Sequence, residues 1–346
     1  MHRFDYGFLA KRIDGSLLNI SNIIADLRGK DEIRRQYDPK AYDALRRMAV
    51  VNSVSSSNAI EGIVTTQNRM RDILLDDRPP VTHDEREILG YRNALNDIYS
   101  NASSLDITED TILHLHKVML ESTSTEAGLY KKENNWIQEI DAGGRRSVRF
   151  VPVSAADTPA AVQQMLLAYY DARQNSSISR LLLAFCFIVD FLCIHPFLDG
   201  NGRISRLLTI LVLEREGYTI GRYISIEQKI DEYKENYCDA LKESSAGWME
   251  NSSSYTPFMI YMLQILYSCY REMDDRFLEN QTKTVPKAKR VENVVENAFV
   301  PVSREEICRR LPDVSVSTVR RVLSQMVQEG RAVKIGTYRN ARYKRK

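Results

Sequence analysis

Between Ile194 and Leu208 the chain reads IHPFLDGNGRISRLL, and its polar residues are types that handle phosphate. Gly200 and Gly202 let backbone N–H groups approach an anion with no Cβ in the way. A helix starting here has unpaired N–H groups and the positive end of its dipole in its first turn, so Gly200, Asn201 and Gly202 would form an anion cradle. Arg203 and Arg206 are three apart and share one side of that turn. Guanidinium groups suit phosphate oxygens. Asp199 supplies the carboxylate that Mg2+ usually takes when it also bridges substrate phosphates. His195, with an ordinary pKa of about 6.5, is the natural general base near neutral pH. A lone histidine before a charged helix start would read as a satisfied core residue. Here base, acid, glycine pair and both arginines fall within twelve residues. That grouping points to phosphate binding and metal-assisted transfer with a histidine base. G-x-x-x-x-G-K-[ST] is absent, so the loop is not a Walker A motif.

Helices must position this loop. Apolar residues recur at three-to-four spacing over 41–58, 85–99, 108–121, 158–173, 178–193, 203–216, 231–243 and 256–279. Asp106 and Thr108 are candidate N-caps. Residues 133–153 break the pattern. WIQEI and SVRFV alternate around Asp141–Gly144, which predicts a β-hairpin packed on the helices, with an edge free to pair with an extended segment. The apolar run from Leu181 to Phe197 is too short for a membrane span of about 20 residues and contains Asp190, so it reads as a buried core helix. The N-terminus shows no apolar run of a secretory signal. Five cysteines with no C-x-x-C pair argue against a disulfide framework or a cysteine-rich zinc site and fit a reducing compartment, read as cytoplasmic. His114 and His116 do not share a helix face and read as structural.

Charge is divided unevenly. Residues 281–346 hold 16 Lys and Arg against 6 Asp and Glu, a net of +10, which leaves −8 on the remainder. The polar stretch near 280–290 reads as a linker to a separate basic module. Within that module Ser303 and Glu306 have capping-box spacing. Two short helices over 303–310 and 315–329 precede a tail that alternates like a hairpin, the outline of a winged helix. Three parts are expected: an N-terminal helical region over 1–105, a catalytic core over 106–280 and a winged helix-turn-helix over 285–346.

The stretch from His195 to Arg206 resembles the Fic family signature, H-x-F-x-[DE]-G-N-G-R-x-x-R, at every defined position. The resemblance spans roughly residues 50–270. It implies a mainly α fold, a Fic-type helical core with a β-hairpin flap. It also implies a protein adenylyltransferase that moves AMP from Mg-ATP to a Ser, Thr or Tyr hydroxyl of a target protein, itself included. His195 would deprotonate the hydroxyl, Phe197 would be buried, and Asp199 would bind Mg2+. The Gly200–Gly202 backbone with Asn201 would hold phosphates, and Arg203 and Arg206 would grip the β- and γ-phosphates. The hairpin looks like the family flap that aligns the target by strand pairing. Residues 237–241, YCDAL, look like the family's Y-Y-x-x-L element, whose first tyrosine lies near the adenine. Cys238 departs from that pattern, and Tyr237 reads equally well as a core aromatic.

Ser57-Asn-Ala-Ile-Glu61-Gly62 resembles the family's inhibitory [ST]-x-x-x-E-[GN] motif. Ser57 and Glu61 face one way on a helix, and Gly62 suits a C′ position. The resemblance implies that Glu61 pairs with Arg206 and denies it to the γ-phosphate. Two other functions stay open: the same fold with another nucleotide or phosphate donor, and a DNA-binding regulator with a Fic core as ligand sensor. The basic module suits either DNA or a protein partner, and a homodimer is left open. No membrane partner is expected.

Overall fold

The computed structural model describes all residues except 1, 12, 38, 141–144, 285, 297, 299–300, 312, 337–340 and 346. The chain divides into two units, Met1–Glu272 and Met273–Lys346.

The first unit is helical, as the apolar spacing predicts. After a short 3-10 turn, Gly7–Ala10, come α1 (Gly15–Tyr37), α2 (Pro39–Ile60), α3 (Gln67–Leu74), α4 (His83–Asn101) and α5 (Glu109–Leu120). A hairpin follows, β1 (Ile137–Ile140) and β2 (Arg146–Phe150). Then come α6 (Thr158–Gln174), α7 (Arg180–Ile194), α8 (Asn201–Arg215), α9 (Ile226–Glu232), α10 (Lys234–Ser245) and α11 (Thr256–Thr284), whose residues from Met273 onward belong to the second unit. Thr108 caps α5 by accepting from the Thr111 N–H, whereas Asp106 pairs with Arg215. Thr82 and Glu85 form a reciprocal capping box at α4.

Helix α7 is apolar all round because it is buried all round, packed by α6, α8 and α10. Among the described residues no helix is long and apolar enough to cross a membrane. Its one charged residue past the first turn, Asp190, is fully buried and accepts from the Tyr6 and Tyr255 hydroxyls and the Trp248 indole N–H at 2.6–2.7 Å. Burial pushes its pKa up to about 6 despite these donors. His2, stacked on Trp248, closes this cluster and ties the N-terminal segment to the core.

Three differences from the sequence reading have local causes. Helices α1 and α3 were not anticipated. Helix α1 buries only Leu17, Ile24, Leu27 and Asp31, too thin a stripe to read as a pattern, and α3 is only two turns long. The helix expected over 231–243 is two helices that break at Tyr233. The expected linker is largely helical: α11 runs to Thr284 and the next helix begins at Lys287.

The second unit contains α12 (Lys287–Glu296), β3 (Val302–Ser303), α13 (Arg304–Arg310), α14 (Val316–Gln328), β4 (Ala332–Ile335) and β5 (Arg342–Arg345). The strands pair antiparallel in the order β3-β5-β4. Val291, Val295, Ile307, Val319, Leu323 and Met326 fill its core. Ser303 and Glu306 make the anticipated capping box. The tips of both hairpins, 141–144 and 337–340, lie outside the described residues.

Candidate active site

Helix α7 ends at His195, a non-glycine residue with φ +52°. A left-handed conformation at such a residue costs on the order of 1 kcal/mol and marks a position that the surroundings over-determine. Gly200, at φ +80°, starts α8, and a Cβ there would lie 2.9 Å from the Met119 side chain and 3.2 Å from Leu120. Only glycine fits. Phe197, fully buried between these turns, stacks on His116 at 3.7 Å, nearly parallel. His116 accepts from the Gly128 N–H and reaches the Asp199 carbonyl with its other nitrogen. It is therefore structural, as expected, and it carries the floor of the loop.

The loop bends back on itself through Asn201, whose side chain accepts from the Phe197 N–H and donates to the Phe197 carbonyl. That pairing fixes the amide orientation and turns its NH2 toward His195 Nδ1, 3.2 Å away. Asn135, just before β1, does the same at 3.0 Å. Its own orientation is fixed by the Lys131 ammonium on its oxygen and the Phe197 carbonyl on its nitrogen. Two donors on one ring nitrogen make Nδ1 the acceptor, so in the neutral ring the proton sits on Nε2. Burial, then the Lys131 and Arg149 charges, hold the His195 pKa down to about 4, against a smaller upward pull from Asp199. The ring is neutral at pH 7. A polyanionic ligand beside it would raise its basicity.

Arg203 is buried and paired with Glu87 of α4 at 2.5 Å, with Asp199 at 3.4 Å. Asp199 itself is exposed at the rim. Arg206 is also buried. It donates through Nε to the Ser57 hydroxyl, and through Nη2 to the Ser57 carbonyl and to Glu61, each at 2.8 Å. Glu61, Tyr91 and Tyr237 raise the Arg206 pKa, outweighing the burial that would lower it. Glu61 lies directly over the turn. A Cβ built on Gly202 would lie 2.2 Å from its carboxylate oxygen and 3.4 Å from Arg206. The position where α8 presents its N-terminal end to an anion is thus taken by a carboxylate of the same chain. Tyr237, buried on α10, lines one cavity of about 230 Å3 with Glu61, His195, Gly202, Arg206 and Arg149. It is both a core aromatic, 5.8 Å from Tyr261, and a wall of the cavity.

The candidate site residues His195, Asp199, Gly200, Asn201, Gly202, Arg203, Arg206, Ser57, Glu61 and Tyr237 therefore lie in this loop or against it. Those the sequence did not reveal are Asn135, Lys131, Glu87 and Arg149, which lie 46 to 116 positions from the loop residues they meet. An asparagine just before a strand was their one local signal. Among the described residues no three His, Cys, Asp or Glu side chains could hold a metal together. A single rim carboxylate beside a phosphate cradle does fit Mg2+, which keeps most of its waters and shares substrate phosphates.

A buried helix ending in a left-handed histidine, followed by a G-N-G turn and a helix with two inward arginines, resembles a Fic-type core. Residues 106–213 match the Fic/DOC family model. It is 32% identical over 191 residues to the protein adenylyltransferase Fic of Drosophila willistoni and 33% identical over 187 residues to that of Drosophila persimilis. These matches cover 52% and 51% of this chain but only 35% and 34% of those proteins, so the chain spans about a third of the length of the relatives it matches. In fold it is similar to a Fic family protein from Desulfovibrio desulfuricans G20, with TM-score 0.61 and 20% identity over 97% of each chain. It is also similar to Fic-1 from C. elegans, with TM-score 0.58 and 21% identity over 78% of this chain and 74% of that one.

Proposed function

We propose that the chain transfers AMP from Mg-ATP to a hydroxyl of a target protein, itself included, and that Glu61 restrains it. The observation that carries the reading is the Glu61 carboxylate seated over Gly202 and bonded to Arg206, where a terminal phosphate would otherwise be held. The names of the Drosophila relatives supply the adenylyl group.

Arg203 and Arg206 would bind the β- and γ-phosphates, helped by the N–H groups of the first turn of α8. Mg2+ at Asp199 would neutralise phosphate charge. His195 would take the proton of the target hydroxyl at Nδ1, the nitrogen that carries the lone pair in this tautomer, once an asparagine N–H gives way to the hydroxyl. The hydroxyl oxygen bonds to the α-phosphorus as the bond to the β-phosphate oxygen breaks and pyrophosphate leaves. Positioning and charge stabilisation do most of the work in such a transfer. The edge of the hairpin, with Val148 and Val151 exposed, is suited to aligning an extended target segment.

Intact-mass measurement of Glu61→Gly with Mg-ATP tests this. A gain of one AMP, lost again in Glu61→Gly with His195→Ala, is the expected result. A different adduct from GTP, UTP or CTP would point to another donor. No adduct from any nucleotide would leave a ligand-sensing regulator.

That regulator reading, and a nucleic-acid partner in general, has one observation behind it. Helix α14 has Ser317, Arg320, Arg321, Ser324 and Gln325 exposed and no carboxylate within its span. We read the second unit as a winged helix-turn-helix with α14 facing the major groove and the strand β5 basic residues on phosphates. Gel-shift affinity should fall steeply with salt. No salt-sensitive binding would assign the unit to a protein partner.

A further inference from the structure

Strand β2 carries a guanidinium that the transfer described above does not use. Ile137 pairs with Phe150 and Gln138 with Val148, so Arg149 is the extra residue of a bulge and has no partner across the hairpin. In a regular strand, neighbouring side chains point to opposite faces. Here Arg149 and Phe150 are consecutive, and both line the cavity that holds His195, Gly202 and Arg206. The bulge has turned Arg149 inward.

Its charge is unmet. Arg203 has Glu87 and Asp199, and Arg206 has Glu61 and Ser57. Among the described residues Arg149 has no ion pair, and its Nε is buried with no hydrogen-bond partner. A half-buried cation without a counter-charge is only partly compensated by water. An anionic ligand entering the cavity would supply the rest. Arg149 is also the arginine on the His195 side of the cavity, close enough for its charge to act on the imidazole.

We propose that Arg149 is a catalytic residue that binds a non-bridging oxygen of the α-phosphoryl group, the group being transferred. The inference rests on the AMP-transfer reading and adds a third arginine to it. Arg203 and Arg206 hold the part of the nucleotide that leaves as pyrophosphate. Arg149 holds the part that ends on the target. As the hydroxyl oxygen bonds to the α-phosphorus and the bond to the β-phosphate oxygen breaks, Arg149 offsets charge on the phosphoryl oxygens. The proton goes to His195, and no further reactant is needed.

Two measurements on the full chain in the Glu61→Gly background test it. The first needs no turnover: calorimetric titration with AMP and with adenosine. AMP should bind more tightly than adenosine, and Arg149→Ala should weaken AMP roughly 10-fold or more while leaving adenosine unchanged. Unchanged AMP affinity overturns the proposal, whether or not the parent transfers AMP. The second compares the two diastereomers of ATP with sulfur on the α-phosphorus. Arg149→Ala should slow AMP transfer by roughly 10- to 100-fold and bring the rate ratio of the diastereomers toward one. Arg149→Lys, which keeps the charge and folds in the same space, should recover part of the rate. A slowed variant whose ratio stays at the parent value would mean that Arg149 serves the target side, and would refute the α-phosphoryl assignment. A parent that binds AMP through Arg149 but transfers nothing would refute the enzyme reading alone.

Discussion

If Glu61 restrains AMP transfer as proposed, how far should removing its carboxylate release it? Arg206 is almost wholly buried, but the Glu61 side chain is 39% exposed. The 3–5 kcal/mol typical of breaking a fully buried ion pair therefore overstates the effect. Arg206 is not orphaned either, because the Ser57 hydroxyl and carbonyl keep two of its three bonds. What Glu61→Gly removes is one charge-assisted hydrogen bond and one carboxylate over Gly202. Such a bond contributes about 1.5–3 kcal/mol, or roughly 10- to 150-fold in the population able to accept a terminal phosphate. Glu61→Gln keeps a hydrogen bond of about 0.5–1.5 kcal/mol without the charge that repels phosphate, so it should fall between wild type and Glu61→Gly.

Initial rates of AMP incorporation, followed by intact mass at subsaturating Mg-ATP, should order as wild type, Glu61→Gln, Glu61→Gly. The step from wild type to Glu61→Gly should be one to two orders of magnitude, with a loss of stability of about 1.5–3 kcal/mol. Equal rates for wild type and Glu61→Gly would refute competition between carboxylate and phosphate. A Glu61→Gln faster than Glu61→Gly would show that the space taken by the side chain does not matter.

Three further outcomes follow from the same geometry. Asn135→Asp replaces one of the two donors at His195 Nδ1 with an acceptor, so the pKa should rise from about 4 toward its ordinary value while Asn201 still donates to Nδ1; nitrogen-15 NMR of the ring reads it, and an unshifted ring would refute the contact. Phe197→Ala empties the stacking site under the loop and should cost about 3–5 kcal/mol, seen as a lower Tm. His116 and His195 should each make acid destabilising between about pH 6.5 and 4. The unfolded chain protonates both in that window while the folded chain holds both near 4, so protons on these rings favour unfolding. Asp190, raised to about 6, opposes this between pH 3.8 and 6, and burial raises Glu214 and Glu227 in the same sense, while His2, lowered by burial, adds to the histidine side. NMR titration of the rings reads the histidine share, and a His116 or His195 imidazole that titrates at its ordinary value would contradict the shift.

The loop over residues 195–206 was legible because the chemistry proposed for it is local. A helix N-terminus needs its glycines, carboxylate and arginines within one turn, and such a cluster survives in the linear chain. Glu61 was legible only through its spacing from Ser57 and its likeness to a known motif, since nothing within residues 57–62 says which arginine it meets. The supports were illegible for the converse reason. Asn135 and His195 are 60 positions apart, and Arg203 and Glu87 are 116 apart. Only the packing of α4 against α8 and of the hairpin entry against the loop joins them. The bulge at Arg149 was hidden too, because alternation in SVRFV reads as a regular strand until its partner's register is known.

Glu61 also answers a stability problem that the arginines create. A cavity built to hold a polyanion must keep guanidinium groups out of bulk water before the polyanion arrives. Arg203 is compensated permanently by Glu87, which lies on a core helix. Arg206 is compensated by Glu61, which lies at the frayed end of α2 where the helix has already given way to a turn. The permanent partner is the more buried carboxylate and the removable one the more exposed. On the proposed reading, inhibition and apo-state stability are one interaction, and relief of one must weaken the other. Without nucleotide, Glu61→Gly should melt below wild type. Saturating ATP should raise its Tm more than it raises that of wild type, because bound ligand stabilises by RT ln(1 + [L]/Kd) and only the variant binds without first displacing a carboxylate. Equal ATP-induced shifts in the two proteins would separate stability from inhibition and break this link.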